Sequence, residues 1–143
     1  MTSSISQIKH DIVEAVESIF PAQKVVVGAM PDTETLIRNK QSKVDPYVVL
    51  QFGDLQPWGN TSMAGPHGDD YRLPVRAYIV APTVGIGDAM RDILNLEFLG
   101  ADFDWAGQIR KRGIGADSYP VVGSTGATEA YSFPTGFALV VQL

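Results

Sequence analysis

The sequence predicts an α+β fold: a mostly antiparallel or mixed β-sheet flanked by two amphipathic helices, in a single domain spanning residues 1–143. Three observations predict it. Apolar residues recur at helical spacing in two stretches, one before and one after the main early strands. Around them stand β-branched or alternating runs bounded by Gly, Pro and Asp. The chain has 143 residues, 45% of them hydrophobic and 19% charged, which suits one globular unit with a real core.

The first helix is read from Ile5, Ile8, Ile12, Val16 and Ile19, spaced by three and four, with Val13 and Ala15 widening the stripe. Ser3 and Ser4 offer capping oxygens before it, and Pro21 lies just past its end. Lys24–Met30 (KVVVGAM) is β-branched and reads as the first strand, closed by Pro31. Residues 32–45 are polar apart from Leu36, Ile37 and Val44, and read as a projecting hairpin or a flexible arm. Pro46–Phe52 (PYVVLQF) is dense enough in apolar residues for a strand buried on both faces. Residues 53–69 hold a cluster of Gly and Pro and read as a long loop. Trp58 and Met63 are its exposed-apolar candidates, a type of residue that marks partner surfaces.

Tyr71–Val80 alternates, with Tyr71, Leu73, Val75, Ala77 and Ile79 on one face. Pro74 removes a ladder donor there and predicts an edge position or a bulge. Ala81-Pro82-Thr83 ends this strand, and Gly85–Asp88 opens the second helix, with Asp88 near its positive end. Met90, Ile93, Leu94 and Phe98 are its expected core stripe, with Leu96 on the flank and Gly100 as the stop. In 101–115, Phe103 and Trp105 are expected to tuck under the domain, and Arg110-Lys111-Arg112 forms a basic cluster in a loop. Tyr119–Gly123 reads as a short strand, 124–129 as a turn, and Gly136–Leu143, entered through Phe133-Pro134, as a terminal strand.

Charge and composition narrow the function. Eleven Lys and Arg against sixteen Asp and Glu give a net charge of −5, unfavourable for gripping a phosphate backbone. The absence of Cys removes disulfides, thiolate metal sites and Cys nucleophiles. The N-terminal run has no basic region followed by an apolar core, so no signal peptide is expected. No apolar run reaches the roughly 20 residues that span a membrane. The expected setting is a cytoplasm or a particle assembled there.

Gly85-Ile86-Gly87 follows a strand and opens a helix, as in the first half of a dinucleotide fingerprint. Met90 replaces the third glycine, and Asp88 would put a carboxylate where phosphate belongs. The expected role is therefore a strand-to-helix joint. His67 near Asp69 and Asp70, His10 alone on a helix, and the Asp102/Asp104 pair make no metal or acid–base set. No catalytic residue, cofactor or metal ligand is expected. Asn60-Thr61-Ser62 fits the glycosylation pattern, which carries no weight without a secretory signal. The basic groups Arg38/Lys40/Lys43 and Arg110/Lys111/Arg112 are interface candidates, since complementary charge fixes register between partners in an assembly.

The order of elements carries a resemblance. An N-terminal helix, a short strand and an arm precede PYVVLQF. A long loop follows, then YRLPVRAYIVAP feeding directly into a helix, then strands to the end. This resembles the tail terminator family of long-tailed phages over Ile5–Leu143. The 53–69 loop and the 101–115 stretch depart from the pattern. The resemblance implies a non-enzymatic virion protein that forms a homo-oligomeric ring, of six members in that family. Such a ring caps the tail tube, stops its polymerisation and joins the tail to the head. Its implied partners are its own copies, the tail tube protein and a head-side connector. DNA would pass through an acidic lumen without specific binding. Arg38, Lys40, Lys43 and Trp58 are the expected contact residues, with Arg110, Lys111 and Arg112 after them. Two other readings are kept open: another neck or minor tail protein, and a small nucleotide- or ligand-binding enzyme.

Overall fold

Two helices cover one face of a single mixed sheet in the computed structural model, which describes residues 4–28, 36–38, 40–41, 43–57, 70–114, 118–122, 126 and 128–142. In chain order the elements are α1 (Ile5–Ile19), β1 (Lys24–Val27), β2 (Tyr47–Phe52), β3 (Gln56–Pro57), β4 (Asp70–Ala81), α2 (Val84–Leu99), β5 (Ala106–Ile114), β6 (Tyr119–Val122) and β7 (Thr128–Gln142). The predicted α+β class is the observed one. The sheet runs β1-β2-β4-β7-β5, with β3 on β4 and β6 on β7. β1 pairs β2 in parallel, and every other pairing is antiparallel.

α1 starts where its cap places it. The Ser4 hydroxyl accepts from the Gln7 N–H at 3.2 Å, satisfying one of the orphan donors of the first turn. Ile8, Ile12 and Val16 are buried along one stripe. They join Val48, Leu50, Val75, Ala77, Ile79, Leu94, Phe98, Phe133, Phe137 and Leu139 in the main core, between helices and sheet. Each such fully buried side chain contributes about 1.5–3 kcal/mol by leaving water. At one end of this core Trp105 donates from Nε1 to Asp11 on α1 at 2.7 Å and stacks on Phe103 at 4.6 Å. Phe103 in turn meets Phe98 edge-on. The expected tucking of these aromatics is therefore realised, and it clamps the α2–β5 connection onto α1.

The opposite face of the sheet has its own smaller core. Tyr47, Val49, Tyr78, Val80, Val121 and Ala130 meet Leu36 and Val44 there. Strand alternation explains the division: β2 and β4 send successive side chains to opposite faces, so both faces must be covered. The burial of β2 from Tyr47 to Leu50 on both sides follows from the same fact.

Several elements differ from the sequence reading, each for a physical reason. β4 is central, not an edge. Its Pro74 is tolerated because the neighbouring ladder breaks between Phe52 and Gln56, opposite the proline ring. There Gly53 donates to the Pro74 carbonyl at 2.8 Å. Short β3 lies inside the segment read as an uninterrupted loop. Arg110-Lys111-Arg112 is not in a loop: it lies within β5, with Arg110 opposite Ala138 and Lys111 opposite Phe137. β7 starts at Thr128, inside the expected turn, because β6 gives that part of the chain a partner. Asp88 lies beyond the first turn of α2 and pairs with Arg91 instead of the helix end. Ile93 is 45% exposed and does not join the core stripe.

Candidate functional site

The expected contact residues that the structure describes fall in two places. Arg38 forms an isolated bridge with Val44, and Asp45 donates to the Ile37 carbonyl at 2.9 Å, so the two limbs of segment 36–45 come together as a hairpin. Its base is seated on the helix-free face through Leu36 and Val44. The Arg38 guanidinium is pinned to Glu129 of β7 at 2.6 Å, both groups being about one-third exposed. Lys40 and Lys43 are exposed on the same hairpin. Trp58 and Met63 lie outside the described residues, as do His67 and Asp69. Arg110, Lys111 and Arg112 follow one another along β5, at the far edge of the sheet.

The structure does not merge the two basic groups. Glu129, which holds Arg38, and Phe137, which opposes Lys111, lie eight residues apart on β7. That is roughly 26 Å along a strand. The hairpin and the 110–112 stretch of β5 therefore lie at separate places on the sheet.

Beside the hairpin, the helix-free face carries a hollow of about 460 Å³. Its walls are Tyr78, Tyr119, Pro120, Val121 and Pro134, with Arg76 on the rim. Tyr119 is 58% exposed, a large ring left in solvent at the start of β6. Tyr78 and Val121 also sit in the small core under Leu36 and Val44, so hairpin and hollow share one floor.

The second surface is on α2. The helix is capped by Thr83, whose hydroxyl accepts from the Ile86 N–H at 3.3 Å and whose carbonyl accepts from Gly87. Gly85 and Gly87 are thus inside the helix and form no joint. Gly87 is required by packing: a Cβ there would stand 1.9 Å from Phe133. The sheet-facing side continues through Met90, Arg91, Leu94, Asn95 and Phe98. Arg91 is buried, bonded to Asp88 at 3.1 Å and to the Pro134 carbonyl at 3.4 Å, and lies over the Phe133 ring. Thr135 donates to Asn95 at 2.7 Å. The other side of the helix presents Ile86, Ala89, Ile93 and Leu96 to solvent, with Leu96 73% exposed.

Sequence reasoning missed this stripe because it assigned Ile93 to the core and Leu96 to its flank. A signal was available. The residues 86, 89, 93 and 96 recur at steps of three, four and three, offset from 87, 90, 94 and 98. Two such rows cannot both face one sheet.

Chemistry-bearing groups are not gathered anywhere comparable. Among the described residues no group of three or more His, Asp or Glu could hold a metal ion. His10 sits 3.3 Å from Glu14 on the solvent side of α1. Asp11 is committed to Trp105, while Asp102 and Asp104 are exposed in the α2–β5 connection. No described helix is long and apolar enough to cross a membrane. Among the described residues, the surface features are the hollow with Arg76 at its rim and the apolar stripe of α2. No protein-family model matches the chain, and no curated protein matches it.

Proposed function

We propose that this protein is a phage tail terminator: a non-enzymatic virion component that assembles as a ring, with six copies as the expected number. The ring caps the tail tube, ends its polymerisation and offers the surface to which the head-side connector binds. The observation that carries the reading is the path of the chain. A short strand and a hairpin precede β2, and β4 then runs for twelve residues straight into α2. A last strand, β7, pairs with all of β4. This order of the described elements supports the reading.

The mechanism requires no bond chemistry and no cofactor. Each copy contributes one wall of a closed ring through head-to-tail contact. One ring face substitutes for the next layer of the tube, and the other receives the connector. The net charge of −5 suits a lumen that DNA crosses without being held. Lys40 and Lys43 are the proposed contacts to a neighbour or an axial partner, a role supported by their exposure on a hairpin whose base is fixed to the sheet.

The test is reconstitution. Purified protein is examined by light scattering and negative-stain microscopy, alone and with polymerising tube protein. Closed rings, or rings formed on tube ends that arrest growth, are the expected result. A protein that remains monomeric and leaves tube length unchanged contradicts the proposal. Reversing Lys40 and Lys43 to Glu tests the hairpin separately: loss of assembly or of tail joining is expected, and full retention makes it a solvated loop.

A further inference from the structure

We infer that the solvent-facing stripe of α2 is one half of a contact whose other half is the Tyr119 hollow on the opposite face of a second copy. The inference deepens the ring reading above and rests on it only for closure of the assembly.

The stripe has the character of a buried surface without a cover. Ile86, Ala89, Ile93 and Leu96 follow the 3-4-3 spacing by which one helix side packs into a complementary groove. Ile86 and Ile93 are 42% and 45% exposed, and Leu96 is 73% exposed. Helix geometry puts Asp92 on one flank of this stripe and Glu97 on the other. The exposed charges of α2 are Asp88, Asp92 and Glu97, because Arg91 is buried against the sheet. An apolar row with acidic flanks is poorly suited to its own image, since two α2 stripes back to back would bring like charges together. It calls for an apolar recess with a basic rim.

The hollow answers that description. Tyr78, Tyr119, Pro120, Val121 and Pro134 provide apolar walls, and Arg76 stands exposed at the rim. Lys40 and Lys43 stand on the hairpin that shares its floor. The stripe and the hollow lie on opposite sides of the sheet, so no copy can satisfy itself. Joining different patches of identical copies is a heterologous contact, which closes into a ring or continues as a filament.

The absence of Cys gives a direct test. Leu96→Cys and Tyr119→Cys are made separately, both at exposed positions, and melting curves confirm that each folds like the native protein. The two variants are mixed and treated with a flexible bis-maleimide. The expected product is the mixed Leu96→Cys/Tyr119→Cys dimer, exceeding either self-dimer by about tenfold, a contact preference of about 1.4 kcal/mol. The double variant should give a ladder ending at the ring size. Charge reversal supplies a second measurement: Arg76→Glu and Asp92→Lys should each reduce the mixed product, and Arg76→Glu in one partner with Asp92→Lys in the other should restore it. No mixed product overturns the inference, and so does a dominant Leu96→Cys self-dimer. Native rings without the mixed product would overturn this contact while leaving the ring standing. A ladder that continues into open filaments would support the contact and overturn the terminator reading. A cross-link formed only to an added third protein also overturns the inference.

Discussion

The two sides of α2 carry opposite lessons. The sheet-facing side contains a glycine, a buried arginine and an asparagine among its apolar residues, yet it is the side that holds the fold together. The solvent side carries a row of apolar residues between acidic flanks, and Ile86, Ile93 and Leu96 are exposed there. Apolar residues stand on both sides, so hydrophobicity alone does not tell them apart. What decides is shape. Gly87 lets the helix approach Phe133, Asn95 meets Thr135, and Arg91 finds the Pro134 carbonyl and an aromatic face. The inner side is specified for this sheet and the outer side is left for something else.

The largest effect that would sharpen this contrast is expected at Phe98. It is buried, packs edge-on against Phe137 at 4.7 Å and closes the aromatic chain through Phe103. Phe98→Ala should lower stability by about 3–5 kcal/mol in chemical denaturation. Gly87→Ala should follow with about 1–3 kcal/mol, although alanine is the better helix former, because its methyl group collides with Phe133. A stabilised Gly87→Ala protein would show that the close helix–sheet approach is not required. Asn95→Ala leaves the Thr135 hydroxyl without its buried acceptor, at a cost of about 1–3 kcal/mol.

Smaller changes probe the surfaces. Arg38→Ala removes a partly exposed pair with Glu129 and should shift stability by only about 0.2–1 kcal/mol. On the outer side of α2, Leu96→Asp should change monomer stability by no more than about 0.5 kcal/mol while weakening self-association measured by sedimentation. A large loss of stability at Leu96 would erase the distinction between the two sides.

The fold was legible wherever periodicity had a single interpretation. α1 shows one clean stripe and a Ser cap, and β2 and β4 are long, apolar and bounded by turn residues. Legibility failed where a tertiary partner supplied what the local pattern lacked. β5 contains three consecutive cations and two glycines, with no alternation, and becomes a strand because β7 offers an edge. Thr128 and Glu129 read as turn residues until β6 pairs with their neighbours. Pro74 could not reveal that the adjacent ladder breaks beside it. The candidate surfaces were half visible. The hairpin cations were readable as charges on a polar segment, but the hollow arises from β4, β6 and β7 together, and no contiguous motif encodes it.

The proposal that one side of α2 serves the fold and the other a neighbouring copy is tested most directly by the particle mass of Leu96→Asp beside the native protein, measured by light scattering on samples with matched melting temperatures. The expected result is a ring mass for the native protein and a monomer mass for Leu96→Asp. A Leu96→Asp sample that keeps the native ring mass, or a native protein that stays monomeric at every concentration both alone and with polymerising tube protein, would contradict it.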